Sequence, residues 1–321
     1  MDPTIHVLAT GGTIASTAGH DGAEPTLGVE ELLAAVPGLE GRAAFVVEQV
    51  AQTASPEMTF RTLDRLRERI GRAAGDGADG VVVLHGTDTV EESAYYLDLT
   101  SAPGLPVVFT GAQRRPDERS SDAAANVADA VDAAAHDDVG GGVFLAFNEE
   151  LHTARDVTKA HTSKLEAFES PGHGPVAVKT RCGFEFNRPA GTTTPTVSIE
   201  AVRATVETVK SGIDVDGAQV ERAVAAGVDG VVLEGTGLGN TTAPLAAAVE
   251  NAVEAGVPVV VTSRCHAGSV AAVYGSAGGG RSLADAGASF AGDLPAQKAR
   301  IALLVTLTAG VPFEAALGGK P

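Results

Sequence analysis

The chain has 321 residues, 44% of them hydrophobic but only 4% aromatic and none of them Trp, so it is long enough to bury a sizeable core filled mainly by Ala, Val, Leu and Ile, as one large domain or two. A formal net charge of −18 works against a surface built to hold nucleic acid or anionic lipid, both of which it would repel over most approaches. No apolar run approaches the roughly 18 residues of a membrane span, so no membrane partner is expected either.

Strand-like residues begin at Thr4, close behind the initiator Met and without a basic n-region or long apolar h-region, which points to a cytoplasmic protein. Short apolar runs at residues 5–9, 44–50, 80–84, 106–110 and 142–147 alternate with helical stretches such as 59–74 and 121–135. Strand, helix, strand predicts a parallel sheet, and uninterrupted apolar runs are those of strands covered on both faces. Residues 1–190 are therefore expected to form a catalytic amino-terminal α/β domain, a doubly wound parallel sheet.

The stretch 187–196, NRPAGTTTPT, has no periodicity and reads as a crossing between domains, with a linker expected over 191–212. A second, smaller α/β domain is expected over 213–321. In it, helices at 216–226, 243–255 and 295–309 alternate with strands at 230–234 and 258–263. The Gly-, Ala- and Ser-rich segment 276–292 reads as a surface loop.

Only six lysines stand against 41 acidic residues, a balance resembling that of proteins adapted to concentrated salt, where carboxylates keep the surface hydrated. Cys182 and Cys265 are too far apart in sequence for a zinc knuckle or a CxxC pair, and a single disulfide between them stays open. With no metal-ligand cluster and no cofactor loop in the sequence, a reaction needing neither metal nor cofactor is expected.

Two stretches carry chemistry. ATGGTIAS, from Ala9 to Ser16, follows the first strand directly. Gly11 and Gly12 allow a sharp turn that leaves Thr13 at the carboxyl edge of the sheet, where open α/β sheets bind ligands. It matches neither GxGxxG nor GxxxxGK[ST], and a threonine that merely caps a helix is an equal alternative. VLHGTDTVEES, from Val83 to Ser93, also leaves a buried strand and enters a helix. It puts Thr87, Asp88 and Thr89 at another carboxyl edge, where a carboxylate pairs with a ligand ammonium and helix-start amides favour an anion. Taken singly, capping of that helix is the simpler account; two such turns in matching topology point to one ligand site.

Together ATGGTIAS and HGTDTVEESAYYLDLT resemble the two signatures of the bacterial-type L-asparaginases. The likeness runs on through VVFTGAQRRP, SSDAAANVADAV, DVTKAHTSKLEAF, GTGLGNTT and LPAQKARIALL, nearly the whole chain. It implies hydrolysis of L-asparagine, a small-molecule substrate, by a homotetramer of paired dimers or at least a homodimer. It also implies that Thr13 is the nucleophile and that Thr87, Asp88 and Lys159 form a second catalytic group. A threonine hydroxyl needs a nearby base or cation to react, and Lys159, desolvated beside Thr87, would share a proton with it; the alternative for Lys159 is a solvated surface lysine. Ser55 and Asp88 are implied to hold the substrate's α-carboxylate and α-ammonium, the Ala112 carbonyl its side-chain amide, and Asn240 the ammonium from a neighbouring subunit. For Asn240 alone, a loop or cap role is the plain alternative.

The sequence departs from the family pattern at two points. The segment 20–27, HDGAEPTL, has no tyrosine where many members carry one beside the nucleophile, and residues 264–298 contain no glutamate where members often supply one from a neighbour. Tyr95, Tyr96 and Tyr274 lie elsewhere, which leaves His20, Glu24 or an ordered water as candidate aids to Thr13; for His20 a solvent-exposed loop histidine is the simpler alternative. Two other readings share these motifs. One is the archaeal glutamyl-tRNA amidotransferase subunit, whose extra amino-terminal domain has no counterpart ahead of Thr4. The other is an amino-acid sensor that has lost catalysis.

Overall fold

The structure is a computed structural model that describes residues 2–318 except His20, Asp21, Thr26, Glu40 and Thr193, and not the side chains of residues 18, 19 and 22–25. The chain divides into two compact units, Met1–Thr193 and Thr194–Pro321. The expected aid from His20 lies outside the described residues, and the Glu24 side chain is not described either.

In the first unit the elements run β1 (Thr4–Gly11), β2 (Ser16–Gly19), β3 (Gly22–Pro25), α1 (Val29–Ala34), β4 (Ala44–Thr53), α2 (Phe60–Gly75), β5 (Gly80–Leu84), α3 (Val90–Thr100), β6 (Pro106–Thr110), α4 (Ala123–Ala134), β7 (Gly142–Phe147), β8 (Glu150–Thr153), β9 (Thr158–Lys159), β10 (Phe168–Glu169), β11 (Ala177–Thr180) and β12 (Gly183–Phe186). Eight strands make one sheet in the order β12-β11-β8-β7-β6-β5-β1-β4. From β4 to β7 neighbours are parallel, and from β7 outward they are antiparallel. The three outer strands were not among the predicted runs, because they are only four residues long and carry little periodicity.

Every residue of β5, β6 and β7 is buried, as uninterrupted apolar runs require. On one face Ile5, Val7, Val82, Leu84 and Val108 pack with Val29 and Leu32 of α1 and Val127, Ala130 and Val131 of α4. Alternate positions, Leu8, Val81, Val83, Val107 and Phe109, are buried too, beneath the side of the sheet that α2 and α3 contact. At the edge, β4 alternates between exposed and half-buried positions, so the 44–50 run is an edge strand rather than a covered one. α2 starts where Thr59 accepts the Thr62 amide at 3.2 Å, an N-cap that ends the preceding extended segment.

The second unit runs β13 (Val206–Lys210), α5 (Ala218–Ala225), β14 (Gly230–Gly235), α6 (Ala243–Glu254), β15 (Val259–Ser263), α7 (Gly280–Asp285), β16 (Ser289–Phe290) and α8 (Ala296–Ala309). Its four strands form a parallel sheet in sequence order, with Val231, Leu233, Val259 and Val261 buried against α5 and α6 and α8 packed on the same strands. Two expectations are corrected here. β13 lies inside the expected linker, 191–212, yet pairs with β14 along five residues; its exposed Glu207, Thr208 and Lys210 disguised an edge strand. The expected loop 276–292 holds α7 and β16, with Leu283 buried; Gly and Ala there serve close packing, since a Cβ on Gly278 would stand 2.1 Å from the Thr241 oxygen.

Cys182 and Cys265 are both free and exposed, so the disulfide left open by the sequence is not formed. Among the described residues no helix is long and apolar enough to cross a membrane.

Candidate active site

In the parallel part of the sheet β1 has β4 on one side and β5 on the other, so the chain's path reverses direction at β1. Such a switch point opens a crevice at the carboxyl ends of the strands, where ligands bind in open α/β sheets. The turns leaving β4, β1, β5 and β6 carry Ser55, Thr13, Thr87 with Asp88, and Ala112 respectively.

Glycines let these turns touch. Gly12 has φ +87°, and a Cβ there would lie 2.2 Å from Gly86 Cα. On Gly86 a Cβ would meet the Ser55 side chain at 2.7 Å, and on Gly111 it would meet the His85 oxygen at 2.5 Å and Thr87 Cγ2 at 3.3 Å. Any side chain at these positions would wedge the turns apart. Hydrogen bonds complete the join: Gly12 N donates to Thr53 O at 3.0 Å, Thr10 Oγ1 to Leu84 O at 3.0 Å, and Thr89 Oγ1 to Ser55 O at 2.7 Å.

Thr13 is half-buried and opens the single turn Thr13–Ala15, which has no side-chain cap. The buried Ser16 hydroxyl donates to the Gly12 carbonyl at 2.8 Å and holds that turn closed. Helix capping does not account for the second motif. Thr89 precedes α3 without a side-chain cap bond, its hydroxyl being directed to Ser55 instead, while the Asp88 carboxylate is 2.7 Å from Lys159 Nζ.

Lys159 lies in β9 and its ammonium donates to Thr87 Oγ1 at 2.8 Å as well as to Asp88. Its side chain is 13% exposed and that of Asp88 59%, so the cation is screened while the carboxylate keeps a face open to a ligand. This is not a solvated surface lysine. Asp88 N in turn donates to Ser55 Oγ at 3.2 Å, which fixes the serine in the same cluster. An open cavity of about 210 Å³ adjoins the group, lined by Asp88, Lys159, Ala160, His161 and Thr162.

Ala112 is fully buried in a turn clamped from α4. Asn126 Nδ2 donates to Gly111 O at 2.9 Å, and Asp122 accepts the amides of Gln113 at 3.0 Å and Arg114 at 2.9 Å. Sequence reasoning passed over Asn126 and Asp122, although a polar Asn on the otherwise apolar face of α4 was a readable signal. It also passed over His85. That ring is wholly buried, its Nδ1 is 2.8 Å from Gly86 O, its Nε2 has no hydrogen-bond partner among the described residues, and burial holds its pKa down at about 4. The ring is thus neutral at physiological pH, and its Nδ1–H donates to the carbonyl one residue before Thr87.

Asn240 belongs to the second unit. There its Oδ1 accepts the Gly280 amide at 3.0 Å at the start of α7, the cap role foreseen as its alternative. Of the tyrosines, Tyr95 and Tyr96 are fully buried, Tyr96 donating to Asp64 at 2.6 Å, and burial pushes its phenol well above the usual range. Neither is available as a partner for a reacting hydroxyl. Among the described residues no group of three His, Cys, Asp or Glu side chains is arranged to hold a metal ion.

Comparison with known proteins adds to this geometry. The family model for the asparaginase N-terminal domain matches residues 4–191, and that for the glutaminase/asparaginase C-terminal domain matches 205–316. The chain is 36% identical to an L-asparaginase of Bacillus licheniformis, with 96% of each chain covered. It is 35% identical to a glutamyl-tRNA(Gln) amidotransferase subunit of Halobacterium salinarum, covering 98% of this chain and 78% of that one. A crystal structure of a probable cytoplasmic L-asparaginase from Campylobacter jejuni superposes with TM-score 0.85 at 32% identity, covering 96% of this chain and 95% of that one.

Proposed function

We propose that this chain, which belongs to the asparaginase family over both of its units, hydrolyses the side-chain amide of free L-asparagine to L-aspartate and ammonia, with weak activity on glutamine. The single observation that carries the reading is the contact of one screened ammonium, Lys159, with both the Thr87 hydroxyl and the Asp88 carboxylate.

In this mechanism Thr13 Oγ adds to the amide carbon and its proton passes to the leaving nitrogen. Ammonia departs, and water then cleaves the threonine ester to give the second carboxylate of aspartate. Thr87, Asp88 and Lys159 exchange protons with the reacting groups, a hydroxyl beside a cation being the better donor and, once ionised, the better held. Ser55 takes the α-carboxylate, the open face of Asp88 the α-ammonium, and the Ala112 carbonyl the amide NH₂. A site built to pair both zwitterionic groups discriminates against analogues that leave its buried polar atoms unpaired. Asparagine and glutamine differ by one methylene, a difference worth only about 1–3 kcal/mol in a pocket of this kind.

The reading extends to a cytoplasmic homotetramer or homodimer in which Asn240 of one copy completes the site of another. Sedimentation of the purified protein as a monomer at working concentration counts against that part.

The deciding experiment is ammonia release from asparagine and glutamine by the unmodified protein, Thr13→Ala and Thr87→Ala. Both variants should lose at least about a hundredfold in kcat, as removal of a nucleophile or its proton partner does. Asparagine binding without ammonia release, over a wide range of salt and pH, would establish a sensor instead. The identity to the Halobacterium protein makes tRNA binding the other outcome to test, by pulldown with total tRNA; capture would overturn the free-amino-acid reading.

A further inference from the structure

Lys159 is held in an unusual place. Strand β9 is two residues long and, among the described residues, pairs only with β10, as a ribbon separate from the eight-stranded sheet. In that antiparallel pair Ala160 N donates to Ala167 O at 2.7 Å, so the neighbouring pair Lys159–Phe168 is the one that exchanges no ladder bonds. The Lys159 N–H therefore points out of the ribbon and needs a partner elsewhere.

Glu91 supplies it. The carboxylate oxygen Oε1 accepts the Lys159 amide at 3.2 Å, across 68 residues of sequence, and the residue is buried, 6% exposed. Glu91 stands in the first turn of α3, three residues after Asp88 and four after Thr87. One helix start thus grips Lys159 at two points, the main-chain amide through Glu91 and the side-chain ammonium through Thr87 and Asp88.

We infer that Glu91 is a positioning residue of the amide hydrolysis, fixing the Lys159 backbone by accepting its N–H so that the ammonium meets Thr87 and Asp88 together. The inference rests on the catalytic role proposed above for Lys159. A flexible four-carbon stem reaches its target in few of its conformations. With the amide released, the ribbon has one less tie to α3 and the ammonium spends less time between its two partners, so turnover falls before the fold does.

The test is a double-mutant cycle on ammonia release at saturating L-asparagine, with Glu91→Ala and Glu91→Gln made in the unmodified chain and in Lys159→Met. Glu91→Ala should lower kcat about tenfold to a hundredfold, the loss of one charge-assisted hydrogen bond, with KM moved less. Glu91→Gln keeps an acceptor oxygen and should restore kcat to within about threefold of the unmodified chain. On the residual rate of Lys159→Met, Glu91→Ala should have no further effect. Equal losses in both backgrounds, or a Gln variant as slow as the Ala variant, would overturn the inference while leaving the role of Lys159 intact. Full turnover in Lys159→Met alone would remove that role and this inference with it. Should Glu91→Ala fail to fold, hydrogen exchange decides: the Lys159 amide should be protected in the unmodified chain and in Glu91→Gln, and free exchange in the unmodified chain would refute the bond.

Discussion

Gly12 and Gly86 lie so close that a Cβ on the first would stand 2.2 Å from the Cα and 2.4 Å from the N of the second. The turn carrying Thr13 and the turn carrying Thr87 are therefore in direct backbone contact, although more than seventy positions separate them. The prediction is that Gly12→Ala, strained further by its φ of +87°, destabilises the protein by about 1–3 kcal/mol and lowers ammonia release more steeply than stability. Gly104→Ala is the control, since nothing lies within 4 Å of its Cβ position. Denaturant unfolding and turnover on both variants check it; equal behaviour would mean the two turns are free to separate.

Thr89 ties the Ser55 carbonyl to the same cluster at 2.7 Å. Thr89→Val keeps the shape and removes the bond, so Ser55 keeps only the Asp88 amide of its two ties to this turn. KM for asparagine should rise about threefold to tenfold, the worth of one neutral hydrogen bond, with kcat less affected. Steady-state kinetics on the variant measures both.

His85 should make stability depend on acid. Its pKa is about 4 in the folded chain against 6.5 unfolded, so between these values the unfolded state binds the extra proton and stability falls as pH falls. The loss begins near pH 6.5, is complete below about pH 4, and amounts to about 3 kcal/mol. In His85→Asn, where an amide NH₂ takes the place of Nδ1–H toward the Gly86 carbonyl, that part of the slope should vanish. Urea unfolding of both proteins across pH 4–7 tests it.

A net charge of −18 repels itself in the compact state. Added KCl should raise Tm and ammonia release together, through screening that is already strong when the Debye length falls to about 3 Å at 1 M. A Tm and a rate that both peak without added salt would refute adaptation to concentrated salt.

The covered strands were legible because β5, β6 and β7 are five or six apolar residues bounded by turn signals. The short edge strand β13 was not, since only Val206 and Val209 of its five residues are buried, a spacing without strand periodicity. Thr13, Thr87 and Asp88 were legible as candidates from the two turn motifs, and Lys159 only from the family resemblance. Ser16, Glu91 and His85 were not, because their partners are main-chain carbonyls and amides, which leave no mark in sequence; Asn126 was readable as a polar residue on the apolar face of α4 and was passed over.

What the residues determined by themselves is the alternation of strand and helix and the two glycine–threonine turns, since apolar periodicity and backbone permissiveness are local properties. Only the tertiary structure decided that β1 lies between β4 and β5, and so which turns meet. Sheet order is set by the packing of whole elements, and the β9–β10 ribbon, outside that sheet, is what brings the Lys159 ammonium to Thr87 across 72 residues and leaves its amide for Glu91 to hold.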